Sequence, residues 1–242
     1  MIRLVSFYLE VIVTKRLLLL LIAFTLVCTM SFLVFSGVFK GDEYVVLQGV
    51  SMTRDYYFDT GLIVMLCVML TITMLTLELS PFSGLDLALL MRMNRGQIWV
   101  AKQLAIFMIA LSVMSVLTMI QTSVLYLTPY ANTQAPFPMY IKTMSGFILF
   151  YVVVMSGIYQ VTNHSFAPFL VFSVWLIHAL SLGHTFLIED LSHTQRLLSY
   201  IIVNVHYTGD TVMFLVRGAS VAWLTLIASL LALRHYLVND IL

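Results

Sequence analysis

Few side chains in this 242-residue chain could do chemistry, and the densest set lies between Glu78 and Lys102. That stretch reads ELSPFSGLDLALLMRMNRGQIWVAK and holds Glu78, Asp86, Arg92, Arg95 and Lys102 among small and apolar residues. Glu78 reads as a cap for the next segment, a partner for Lys102 or a solvated boundary charge. A second set is His178 and His184, with Glu189 nearby. Two helical metal ligands sit four residues apart, as in H-E-x-x-H. These two are six apart, so haem or metal ligation by them competes with a plainer reading as satisfied or interfacial histidines. A third candidate is Arg217, with Asp210 two helical turns before it. No H-E-x-x-H, G-x-S-x-G or G-x-x-x-x-G-K-[ST] motif occurs, so zincin chemistry, a hydrolase elbow and phosphate binding by a P-loop are not encoded.

The rest of the composition says what solvent these residues live in. Apolar residues make up 61% of the chain and charged ones 10%, against roughly 25% charged in soluble domains. Such a chain cannot cover an aqueous surface, which points to lipid. A near-neutral net charge of +1 argues against a nucleic-acid partner. Cys28 and Cys67 lie inside apolar runs and read as small core residues, with neither a disulfide framework nor a metal cluster in view.

The elements follow from hydropathy and punctuation. Arg3, Ser6, Glu10 and Thr14 fall on one stripe of a helix, which predicts an amphipathic interfacial helix over 1–16. Leu17 to Phe39 has no charge and is longer than the roughly 7–15 residues of a signal h-region. It is expected to remain as the first span. Further spans are predicted at 60–77, 99–127, 143–161, 166–182 and 211–233, each near the roughly 20 residues that cross a bilayer. Lys40 to Asp59 reads as a polar loop, with four acids and two bases. Ser80 before Pro81 signals a new short helix over 81–95. Thr162-Asn163-His164-Ser165, with Pro168 beyond, reads as a tight turn. The apolar piece Leu197 to Val205 is too short to cross, which predicts a re-entrant or interfacial segment over 186–206. The expected fold is a single all-α, polytopic membrane domain with six transmembrane helices. Seven Lys/Arg on the side of the termini against five opposite place both termini in the cytoplasm. The short helix over 81–95 then faces the cytoplasm, and its Leu85, Leu87, Leu89, Leu90 and Met91 call for burial against a partner or headgroups.

In this stretch the chain resembles the membrane-spanning subunits of ABC-2 type ATP-binding-cassette exporters. Gly84, Arg95 and Lys102 match a glycine, an arginine eleven residues on and a lysine seven further. Glu78 matches the acidic residue before them, and Leu89 and Leu90 fall in the leucine-rich part. The layout of an interfacial helix, six spans and re-entrant segments before the last is also similar. Gly84-Leu85-Asp86-Leu87 stands where the family has Gly-Thr-Leu-Glu, and Arg92 where it has proline.

The resemblance implies a permease in the membrane of a prokaryotic cell, paired with a second permease subunit, identical or homologous. Separate cytoplasmic ATPase subunits would dock on 81–95 through Glu78, Gly84, Leu85, Leu89, Arg92, Arg95 and Lys102. ATP and Mg would bind in those partners and no cofactor in this chain, which would itself be no enzyme. By the same analogy, spans 1, 2 and 5 line the pathway, where Thr29, Thr73 and Ser173 are candidate contacts and Arg217 a further one. An almost charge-free lining rich in Leu, Val, Met and Phe suits a hydrophobic or amphipathic cargo: a peptide, a lipid or a drug. Two other classes stand beside this reading. One is a membrane-embedded haem or metal enzyme using His178 and His184. The other is an ion-driven secondary transporter, which usually carries mid-span charges that are scarce here.

Overall fold

The computed structural model describes residues 2–12, 15–35, 49–79, 86, 89, 93–126, 137–183 and 211–238, with side chains over 2–12, 19–33, 63–79, 86, 89, 93–124, 147–177 and 223–237. Among the described residues all regular structure is helical, in seven helices. These are α1 (Ile2–Ile12), α2 (Lys15–Phe35), α3 (Gly49–Leu79), α4 (Arg95–Tyr126), α5 (Phe137–Thr162), α6 (Ala167–Gly183) and α7 (Thr211–Val238). The segment 186–206 and most of 81–92 lie outside the described residues.

α1 has the predicted polar stripe, with Arg3, Ser6 and Glu10 exposed. Its opposite face, Leu4, Val5, Tyr8 and Ile12, is buried, and the helix packs against α4. The apolar face thus seals onto the bundle, where the sequence suggested a helix lying in the interface.

α3 starts at Gly49, well before Thr60, and takes in Arg54, Asp55 and Asp59, which had read as loop. Charges lower hydropathy without breaking a helix, and no proline or glycine interrupts 50–60. For the same reason α7 runs past Leu233 through Arg234, His235 and Tyr236.

α4 starts four residues before Trp99, and the cause is local. The Asn94 carbonyl accepts from the Gln97 and Ile98 amides at 2.9 and 3.3 Å, and the Asn94 amide donates to Gln97 Oε1 at 3.4 Å. Asn at the cap with Gln three residues on is a capping-box arrangement, which satisfies donors that a helix start otherwise leaves open. The predicted turn between α5 and α6 is present. Asn163 adopts φ 53°, a left-handed conformation that asparagine tolerates better than most residues, and its amide closes onto the Tyr159 carbonyl at 2.7 Å.

α4 is the hub: it packs against α1, α2, α3, α5 and α7. Ile98, Ala105, Ile106, Ala110, Met114 and Leu117 are buried along it. Its outward stripe is Met108, Ser112, Val116, Met119 and Ser123, and α2 likewise exposes Leu19, Ile22, Leu26, Val27 and Met30. Among the described residues one helical stretch, Arg95–Val124, is both long and apolar enough to cross a membrane. Leu19–Leu33, Ile63–Leu79, Phe147–Thr162, Ala167–Ile177 and Trp223–Leu237 are apolar but shorter within what is described.

α5 and α7 make the most intimate seam. A Cβ placed on Gly157 would lie 3.1 Å from the Ala232 Cβ, closer than ordinary van der Waals contact. Small residues at facing positions allow two helix backbones this approach.

Candidate functional site

Asp86, which falls between α3 and α4 in the chain, joins α1 and α4. Its carboxylate is completely buried. Lys102, on the second turn of α4, donates from Nζ to Asp86 Oδ2 at 2.6 Å. Tyr8, on the buried face of α1, donates its hydroxyl to Asp86 Oδ1 at 2.5 Å. Lys102 Nζ also lies 5.8 Å from the centre of the Tyr8 ring, within cation–π range. Tyr236, near the end of α7, feels the charge of both Asp86 and Arg95. One carboxylate therefore ties together the start of the chain, the connection after α3 and the hub helix, with the end of α7 close by.

The electrostatics follow from burial. An unpaired carboxylate in an apolar interior is so costly that it needs a partner or a proton. Lys102 supplies the countercharge and Tyr8 a hydrogen bond, so each oxygen of Asp86 has a charge-assisted or hydroxyl donor. Burial, and then the bond to Asp86 and its charge, push the Tyr8 hydroxyl well above the ordinary tyrosine range. Tyr8 thus stays protonated and remains a donor.

This geometry changes the reading of several sequence candidates. Lys102 is bound to Asp86 and not to Glu78, which is exposed at the end of α3. The reason is position: Asp86 sits in a leucine-rich setting that cannot leave it unpaired, whereas Glu78 is solvated. Leu89, expected as part of a partner-facing knob, is partly buried and packs against the chain's own core, as does Met93. The Met93 amide bonds the Leu89 carbonyl at 2.9 Å. Arg95 is the first residue of α4. Gly84, Leu85 and Arg92 lie outside the described residues.

The three pathway candidates with described side chains, Thr29, Thr73 and Ser173, differ in exposure. Thr73 is buried, donates to the Met69 carbonyl at 2.8 Å and lies 3.6 Å from Met155 Sδ on α5. Thr29 is part-buried and donates to the Thr25 carbonyl at 2.7 Å, while Ser173 is exposed on α6. A hydroxyl satisfied by its own helix four residues back can sit in an apolar setting without a ligand, so these threonines are no evidence of a lining. Arg217 lies on α7 and His178 on α6, with side chains outside the described set; His184 and Glu189 are outside it altogether.

Tyr8 is the node residue that sequence reasoning missed, and Asp86 was noted there without a partner or a role. A signal for Asp86 existed, since a lone acid within Gly84-Leu85-Asp86-Leu87-Ala88-Leu89-Leu90 must be paired if that run is buried. Tyr8 carried none. A second polar tie, Trp99 Nε1 donating to Gln160 Oε1 at 3.1 Å, joins the start of α4 to the end of α5.

No protein-family model, curated protein or solved structure matches the chain.

Proposed function

We propose that the chain is the membrane-spanning subunit of an ABC-2 type ATP-binding-cassette exporter, crossing a prokaryotic cell membrane six times with both termini in the cytoplasm. The observation that carries the reading is the buried Asp86 node. In such a machine, the segment between the second and third spans receives the ATPase, and motion there must reach the helices. Asp86 lies in that segment and is bonded to α1 and α4. A displacement of the segment is passed at once to the N-terminal helix and to the hub of the bundle. The spacing of Gly84, Arg95 and Lys102 supports the same reading, as do the apolar outward stripes of α2, α4, α6 and α7.

In this function the chain carries no phosphate chemistry. Soluble ATPase subunits bind ATP and Mg, and their two docked geometries differ in contact energy with the 81–95 segment. That difference shifts the membrane subunits, paired with a second permease, between two access states. The cargo is hydrophobic or amphipathic. Exposed Glu78 offers a dock contact that can be altered without disturbing the core.

The test is co-purification of the tagged chain in mild detergent. Recovery of a soluble ATPase with the native chain, lost with Glu78→Arg or Arg92→Glu and kept with Ser112→Ala, is the expected result. A chain that purifies alone, carrying haem or a metal ion, overturns the reading and favours a membrane-embedded enzyme.

A further inference from the structure

Cys28 on α2 and Cys67 on α3 place their sulfurs 3.5 Å apart, although 39 positions separate them in the chain. Both thiols are free and buried, at 0% and 5% exposure. They sit among Phe32, Val64 and Val68 in the apolar core, on two helices that pack directly against each other. From these observations we infer that Cys28 and Cys67 form a thiol–disulfide site that reversibly cross-links α2 to α3.

Geometry and electrostatics select this chemistry. A disulfide bond is about 2.05 Å long, so the sulfurs need to close by only about 1.5 Å, within reach of a side-chain adjustment. Two thiolates holding a soft cation such as Cu(I) would leave a net negative charge in this setting, and buried charge is strongly disfavoured. A disulfide is neutral, so oxidation costs no charge burial. Both sulfurs are covered by the chain's own core, so the α2–α3 contact must open briefly to admit any oxidant. The oxidant we assign is a lipid-soluble hydroperoxide, a species that concentrates in an apolar phase.

The reaction balances in two steps. One cysteine sulfur attacks the terminal peroxide oxygen, the O–O bond breaks, and the thiol proton leaves with the departing alcohol, giving a sulfenic acid. The neighbouring sulfur then attacks that sulfenic sulfur. The S–S bond forms, the S–O bond breaks, and the hydroxyl takes the second thiol proton and leaves as water. In sum, two thiols and one hydroperoxide give one disulfide, one alcohol and one water. With the second thiol already in contact, the sulfenic acid is resolved before further oxidation. The inference does not depend on the exporter reading, because it concerns only how α2 meets α3, but its choice of oxidant rests on the proposed membrane setting.

The experiment uses the full chain in phosphatidylcholine nanodiscs, treated with cumene hydroperoxide and mapped by mass spectrometry without reduction. The expected product is a linked peptide pair holding Cys28 and Cys67, with both free thiols lost and both restored by a phosphine reductant. Cys28→Ala and Cys67→Ala should each give a sulfenic acid that dimedone traps, and no link. Should either variant fail to fold, the map of the native chain still decides. The inference is overturned by a native chain whose thiols both remain alkylatable, by sulfinic acids without a link, by a link between two copies, or by a soft metal ion held on the two sulfurs. Transport or ATPase activity is not needed for any of these readings.

Discussion

The Asp86 node and the α5–α7 seam hold the same bundle together by opposite means. At the node, three elements meet because one buried charge demands partners: Lys102 supplies charge and Tyr8 a hydrogen bond. At the seam, Gly157 and Ala232 meet because neither has a side chain in the way. An electrostatic contact is specific and intolerant of losing one member, since the remaining charge is stranded. A steric contact depends on volume and tolerates chemical change that preserves size. Among the described residues the first kind is the Asp86–Lys102 pair and the second the Gly157–Ala232 contact.

The largest expected effect tests this asymmetry directly. Lys102→Met leaves Asp86 buried without its countercharge and should destabilise the fold by about 3–5 kcal/mol. Adding Asp86→Leu to Lys102→Met removes the stranded charge and should recover most of that loss. Thermal unfolding of the detergent-solubilised chain, followed by circular dichroism, reads both. Equal destabilisation by the single and double variants would mean that the node is held by packing and that the contrast with the seam is false.

The seam should respond to volume alone. Gly157→Val pushes methyl groups into Ala232 and should cost about 1–3 kcal/mol, as overpacking does. Gly157→Ala combined with Ala232→Gly keeps the volume and should sit near the native midpoint. Compensation here and not between unrelated positions would mark α5 and α7 as a true size-matched pair.

How much of this was legible beforehand differs between the two regions for a physical reason. The helices themselves were readable, because apolar runs and the Thr162–Ser165 turn are local properties. Their ends were not, where charges interrupted hydropathy without interrupting the backbone: α3 begins at Gly49 and α7 runs to Val238. The start of α4 could have been found from Asn94 and Gln97, whose types and spacing make a cap. At the candidate site, Lys102 was singled out and lies in the node. Glu78 read as a cap, a partner for Lys102 or a solvated boundary charge, and it is exposed, whereas burial selects Asp86 as the partner. Tyr8 joins across 78 positions, and no periodicity on α1 distinguishes a tyrosine that will meet a carboxylate from one that packs. Thr29 and Thr73 were pathway candidates by analogy with the exporter family, and each hydroxyl is satisfied by its own helix, so their polarity alone does not mark a lining.

Tyr8→Phe should have an intermediate effect. It keeps the ring over Lys102 and deletes only the hydroxyl that donates to Asp86. A hydrogen bond to a charged acceptor contributes about 1.5–3 kcal/mol, so the variant should unfold earlier than native but later than Lys102→Met. Amide hydrogen exchange should rise over 2–12 first, because the bond is α1's one tie to Asp86. Uniform loss of protection across the bundle would instead show that α1 is held by its apolar face.

The smallest expected effect is the sharpest comparison, because it concerns a second phenol at the same node. Tyr236 lies close enough to feel Asp86 and Arg95, yet its hydroxyl is buried and donates to no described group. A buried hydroxyl without a partner costs stability, and deleting it removes that cost. Tyr236→Phe should therefore be neutral or slightly stabilising, within about 1 kcal/mol of native, while Tyr8→Phe loses a real bond. The two variants make the same chemical change at the two ends of the described chain, near the same carboxylate. If they unfold alike, Asp86 draws on both phenols, and the node has two interchangeable donors. If only Tyr8→Phe is costly, the carboxylate is committed to α1 and α4, and α7 stands beside the node without being bonded to it.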